Sequence, residues 1–196
     1  MKVSREQAER NRRQVVASAA GLFREHGFDG IGLGEVMRAA GLTHGGFYKQ
    51  FDSKEGLVRE AMAAALERSR AKWKQRIAAS EGDPLATFVE GYLSPAHRDN
   101  PADGCAFAAL AAEAARRDDP QLREVFEEQA RGYLGMLGSM LDDQPGACSR
   151  DRALVVLSTV VGALLMSRVV IDPELSGDFL RAAAAAILRK DRSADT

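Results

Sequence analysis

Apolar positions recur at three- and four-residue spacing along nearly the whole chain, and glycines and prolines cut them into segments of helical length. Val15, Val16, Ala19, Ala20, Leu22 and Phe23 share one face of a first helix. Gly27 follows as its stop, in the left-handed conformation that a residue without Cβ adopts freely. A second, short helix is predicted from about Leu33 to Ala40, stopped at Gly41, with Val36, Ala39 and Ala40 facing inwards. The Thr43 hydroxyl is placed to cap a third helix through about Gln50, on which Phe47 faces the core and Phe51 closes the unit. Asp52 with Glu55 reads as a capping box opening a long helix towards Ser80, with Ser53 as the rival cap. Further on, breaks at 82–84, 97–104, 118–120, 144–149 and 172–173 leave helical segments at 84–95, 105–117, 120–142, 151–171 and 173–190. The pattern predicts an all-α protein of about nine helices, with no strand and no internal repeat.

Composition agrees: alanine is abundant and prolines number only six, so little opposes helix over 196 residues. The two cysteines, Cys105 and Cys148, are too few for a disulfide framework, and His26, His44 and His97 lack metal-ligand spacing, so no metal or cofactor is expected. The charged start MKVSREQAERNRRQV has no apolar core of signal-peptide length. The most apolar stretch, Leu154 to Ile171, is interrupted by Ser158, Thr159, Ser167 and Arg168, and reads as a packed helix rather than a membrane span. A cytoplasmic protein without membrane partners is expected. Nor is an enzyme: there is no Ser-His-Asp set, distinctive carboxylate pair or phosphate loop. The run Gly30-Ile31-Gly32-Leu33-Gly34 lacks the spacing and preceding strand of a dinucleotide site.

Net charge is only −1, but residues 1–54 carry nine Lys/Arg against six acids while the remainder is net acidic. A basic head on an acidic body directs any polyanion to the N-terminal end. There, two short helices joined by a glycine turn meet the geometric requirement of a helix-turn-helix, whose second member would expose Thr43, His44, Gly45, Gly46, Tyr48 and Lys49.

This stretch strongly resembles the DNA-binding domain of TetR-family transcriptional regulators. Phe23, Gly27, Phe28, Val36, Ala39, Ala40, Gly41, Leu42, Thr43, Gly45, Phe47, Tyr48, Phe51, Ser53, Lys54 and Leu57 fall in register with its pattern. The resemblance implies a head over 1–54 and a helical effector-binding and dimerisation domain over 55–196. It implies contacts with double-stranded DNA from Thr43, His44, Gly45, Gly46, Tyr48 and Lys54, with Lys49, Gln50 and Arg38 as further candidates and Arg5, Arg12 and Arg13 as arm residues. Thr43 and Tyr48 would hold phosphates by hydroxyl donation and Lys54 by charge, while glycines at 45 and 46 admit the duplex closely. Two departures stand out. Ile31, Gly32 and Gly34 replace the polar residues common in relatives, and Gly46 replaces a groove-reading side chain, which shifts specificity towards His44, Lys49 and DNA shape.

The resemblance further implies a homodimer formed by the last two helices, for which Leu154, Leu157, Val161, Gly162, Leu165, Val169, Phe179 and Leu180 supply an apolar surface. It implies a cavity for a small hydrophobic effector among the middle helices. Met62, Trp73, Phe88, Tyr92, Cys105, Phe107, Leu110, Phe126, Tyr133, Met136 and Met140 are the candidate lining. Gly132, Gly135 and Gly138 leave room on one helix for either a ligand or a neighbouring element. Cys105 follows Gly104 at a predicted helix start, where the dipole favours a thiolate. It resembles the sensing cysteine of a subset of TetR-like regulators, although a small buried packing residue is the favoured reading of it. The functional expectation is a ligand-released repressor on a palindromic operator, with a thiol-based electrophile or oxidant sensor using Cys105, or a small-molecule-binding protein without DNA function, as the alternatives.

Overall fold

The computed structural model describes residues 4–141 and 147–189, and all of its regular structure is helical. The elements are α1 (Arg5–His26), α2 (Leu33–Ala39), a 3₁₀ helix η1 (His44–Lys49), α3 (Lys54–Ala78), α4 (Pro84–Tyr92), α5 (Pro95–Arg98), α6 (Ala106–Arg116), α7 (Pro120–Met140), α8 (Ala147–Val169) and α9 (Pro173–Leu188). Two compact units result, each from two stretches of chain: residues 1–69 with 101–129, and 70–100 with 130–196. The helix-turn-helix segment therefore shares a unit with α6 and the first half of α7.

In the first unit, local chemistry sets the helix ends. The Ser4 side chain caps α1 by accepting from the Gln7 N–H at 3.1 Å, and Gly27 closes it with φ 78°. The Glu35 carboxylate reaches back to the Gly32 N–H at 3.0 Å to open α2, and Gly41 turns the chain at φ 68°. The inward face of α2 differs from expectation. Val36, Met37 and Ala40 are buried and Ala39 is exposed, because the buried arc runs from Val36 through the partly buried Leu33 to Met37. Around it Phe23, Phe28 and Phe47 are wholly buried, with Phe23 edge-on to Phe28 and Phe47 stacked on Phe51 at 5.5 Å.

Two predicted caps are replaced. Ser53, not Asp52, opens α3 by accepting from the Gly56 N–H at 3.0 Å. The Thr43 side chain caps nothing; its carbonyl accepts from the Gly46 N–H at 3.0 Å, an i to i+3 bond of the 3₁₀ type. With Gly45 and Gly46 in its first turn, this short element gains little from α-helical propagation.

In the second unit, Asp83 caps α4 and Asp172 caps α9, each followed by proline in the first turn. The expected helix over 84–95 stops at Tyr92. Ser94 then caps the separate turn α5 by accepting from the His97 N–H, and α8 starts at Ala147, earlier than expected. Trp73, Phe88 and Tyr92 form one aromatic cluster, with Trp73 and Phe88 rings 5.2 Å apart and Phe88 and Tyr92 5.4 Å apart. α8 and α9 form an antiparallel pair joined by 170–172 and tied where the Ser176 hydroxyl donates to the Ser167 carbonyl at 2.5 Å.

Candidate nucleic-acid interface

The α2–turn–η1 pair places its polar residues outwards. Thr43, His44, Gly45, Tyr48, Lys49 and Arg38 are exposed, Gly46 is half-buried, and Tyr48 is 69% exposed although the adjacent Phe47 is fully buried. An exposed phenol beside a wholly buried ring is not explained by packing and leaves its hydroxyl to an outside partner. A Cβ built on Gly45 would meet nothing within 4 Å, so this backbone offers an unobstructed approach. On α2, the His44 Nδ1 lies 3.8 Å from where a Gly34 Cβ would stand, so the missing side chain at Gly34 leaves His44 uncovered.

Three expected contact residues are engaged inside the head. Arg12 donates to the Gln50 carbonyl, pairs with Glu60 (Nε to Oε1 3.1 Å) and lies 4.3 Å over the Phe51 ring, so it clasps η1 to α1 and α3. Lys54, half-buried, donates through Nζ to the Ile31 carbonyl at 2.9 Å, holding the segment before α2. Gln50 turns inwards, its Oε1 buried without a hydrogen-bond partner among the described residues. Arg5 and Arg13 on α1 are exposed.

The other candidates divide between the units. In the first, Met62, Cys105 and Leu110 are buried. Phe107 meets Phe126 edge-on at 5.4 Å beside a hollow of about 310 Å³ that Ala111, Ala114, Ala115 and Arg123 complete. Cys105 is the N-cap residue of α6 and its side chain caps nothing. It lies within electrostatic reach of Arg24, whose guanidinium burial holds below its ordinary pKa. In the second unit, Trp73, Phe88, Tyr92, Tyr133 and Met136 are buried and Met140 partly so. Of the three glycines on α7, Gly132 lies under Arg70, whose guanidinium stands 2.8 Å from the place of a Cβ, whereas Gly135 and Gly138 face open space. Leu154, Leu165 and Val169 are exposed, Leu157, Val161, Gly162 and Phe179 half-buried, and Leu180 packs inside its own unit at 3% exposure. Sequence reasoning did not single out Val155, Met166, Ile171 and Leu175, which extend the exposed apolar face. The side chain of Cys148 lies outside the described residues.

An exposed recognition element of this geometry on a small buried core defines a helix-turn-helix DNA-binding protein. Residues 15–61 match the family profile of bacterial regulatory proteins, tetR family. The repressor NemR of Escherichia coli K12 is 28% identical over 139 residues, 67% of each chain. The regulator LmrA of Bacillus subtilis is 27% identical over 158 residues, 79% of this chain and 82% of its own. The solved reduced form of E. coli NemR superposes with a TM-score of 0.78 at 22% identity, covering 91% of this chain and 95% of that one. Residues 15–61 form a tetR-family DNA-binding domain, and the chain is a DNA-binding regulator similar over most of its length to the TetR-family repressor NemR.

Proposed function

We propose that the protein is a repressor that binds a palindromic operator as a homodimer and is released by a small apolar effector. The observation that carries the DNA step is the outward Tyr48 on an element whose inward side is anchored by Phe47. In this reading Tyr48 and Thr43 hold phosphates, His44 and Lys49 reach the groove, and Arg38, Arg13 and Lys54 add charge.

The dimer is supported by the outer face of α8 and α9. The helix Ser149–Val169 is long and apolar enough by composition to cross a membrane, with 33% of its apolar window buried in its own chain. Leu154, Val155, Leu165, Met166, Val169, Ile171 and Leu175 stand exposed on this pair. A second copy would cover such an apolar face. The apolar effector is supported by the hollow of the first unit that Phe107, Ala111, Ala114 and Phe126 line. Its binding favours a state whose two heads no longer match successive major grooves, about 34 Å apart. DNA from the protein's own upstream region, titrated by anisotropy across a salt series, tests the reading: Tyr48→Phe and Lys49→Ala weaken a tight, salt-sensitive complex. No binding to any duplex by a folded dimer overturns it.

One observation favours a second reading, a thiol-sensing regulator. Cys105 is the N-cap residue of α6 and lies within electrostatic reach of the Arg24 guanidinium, a cationic setting for a thiol. Cys105→Ser decides: if oxidants release DNA from wild type and not from this variant, the thiol is the sensor.

A further inference from the structure

α1 ends at Gly27, so the Phe28 N–H has no partner in the helix; the Glu113 Oε2 of α6 accepts it at 2.9 Å. The other carboxylate oxygen lies directly over Gly27: a Cβ built there would stand 2.7 Å from Oε1. Glycine at this position thus answers two demands at once, the positive φ and the close approach of the carboxylate. Just beyond the end of α6, Arg117 pairs with Asp29 and lies 5.0 Å over the Phe28 ring. In the loop before α6, the Ala102 carbonyl accepts from Arg24 through Nε at 2.7 Å and through Nη2. The C-terminal end of α6 and the loop that leads into it are therefore tied to the last turn of α1 and to the strap of residues 27–32 that leads straight into α2. That strap is plugged into the core by Phe28 and Ile31 and held on its far side by Lys54.

We propose that Glu113 is the positioning residue that fixes the strap, and with it the helix-turn-helix, to α6, so that any displacement of α6 is delivered to the DNA-binding face through this carboxylate. The inference rests on the reading that η1 is the element that meets DNA. A charged acceptor on a backbone N–H is stronger than a neutral one and directional. The covalent chain from Phe28 to Leu33 is too short and too anchored to absorb a shift of its first residue. α6 and α2 then move together or the tie breaks.

The full-length protein tests this with Glu113→Ala, Glu113→Gln and Leu122→Ala, the last a core truncation in the same unit that leaves the strap untouched. Two quantities are read: amide exchange at Phe28 in the free protein, and affinity for upstream DNA. Glu113→Ala is expected to speed exchange at Phe28 beyond that of its neighbours and to weaken DNA binding by about tenfold. Glu113→Gln keeps an acceptor oxygen and restores most of both. Leu122→Ala lowers the melting temperature while keeping wild-type affinity, which separates positioning from general stability. A folded Glu113→Ala with wild-type affinity overturns the proposal, as does a Phe28 amide that exchanges no faster than in wild type. Failure of the wild type to bind any duplex is a distinct result: it removes the DNA-binding reading and the proposal with it.

Discussion

Phe47 and Tyr48 are sequence neighbours with rings 5.1 Å apart and nearly perpendicular, yet one is wholly buried and the other 69% exposed. Their substitutions should separate stability from recognition. Phe47→Ala empties the centre of the head and is expected to cost about 3–5 kcal/mol, read as a large loss in thermal melts. Tyr48→Phe removes one exposed hydroxyl, so stability should stay within about 0.5 kcal/mol while operator affinity falls.

Arg12 and Arg13 should divide in the same way. Arg12→Ala releases Glu60, the Gln50 carbonyl and the Phe51 face, and should destabilise the head by about 1–3 kcal/mol. Arg13 is exposed on α1; Arg13→Ala should leave the melt unchanged and lower the dependence of binding on salt by about one phosphate contact. A melt and a salt titration on each variant check the pair.

On α8, Val169→Glu places a charge where an exposed apolar face is proposed to meet its copy. Sedimentation should show a monomer of unchanged helicity, and DNA affinity should fall because a single head reads one half-site. A dimer that survives the substitution would place the interface elsewhere.

Gly91 packs against the ring of the only tryptophan: a Cβ there would lie 2.8 Å from Trp73 Cζ3 and from the Arg76 guanidinium carbon. Gly91→Ala should force the indole aside at a cost of about 1–3 kcal/mol and shift Trp73 emission. An unchanged emission spectrum would mean that Arg76 alone yields.

The Asp99 carboxyl is held below its ordinary value of 3.8, chiefly by the hydrogen bond from Arg98. A carboxyl with a depressed folded pKa contributes stability that is complete above its unfolded pKa and lost as pH falls through the folded one. Asp99→Asn should therefore lower the melt slightly at neutral pH and match wild type in strong acid. Because the pair is exposed, the difference should be small and should shrink with salt.

Much of this protein is legible along the chain because its helix ends are local chemistry. Gly27 and Gly41 stop helices with positive φ, Asp83-Pro84 and Asp172-Pro173 start them, and the register that marks the family lies within the segment from Phe23 to Leu57. Tyr48 could be placed outside and Phe47 inside from spacing alone. Yet Thr43 and Asp52 are as good as caps by type, and neither side chain caps a helix here; which oxygen reaches an N–H depends on the backbone entering the turn.

What the sequence by itself determined is therefore the helical punctuation, the recognition motif and the polarity of its faces, all set by neighbours within a turn or two. The tertiary structure alone decided the partners of the long charged side chains. Arg12 meets Glu60 across 48 residues, Lys54 meets Ile31 across 23 and Glu113 meets Phe28 across 85. It also gave Arg12 and Lys54, which read as DNA contacts, hydrogen-bond partners inside the head. The reason is physical: a guanidinium, ammonium or carboxylate seeks the nearest satisfiable partner, and only the approach of distant elements fixes which one that is.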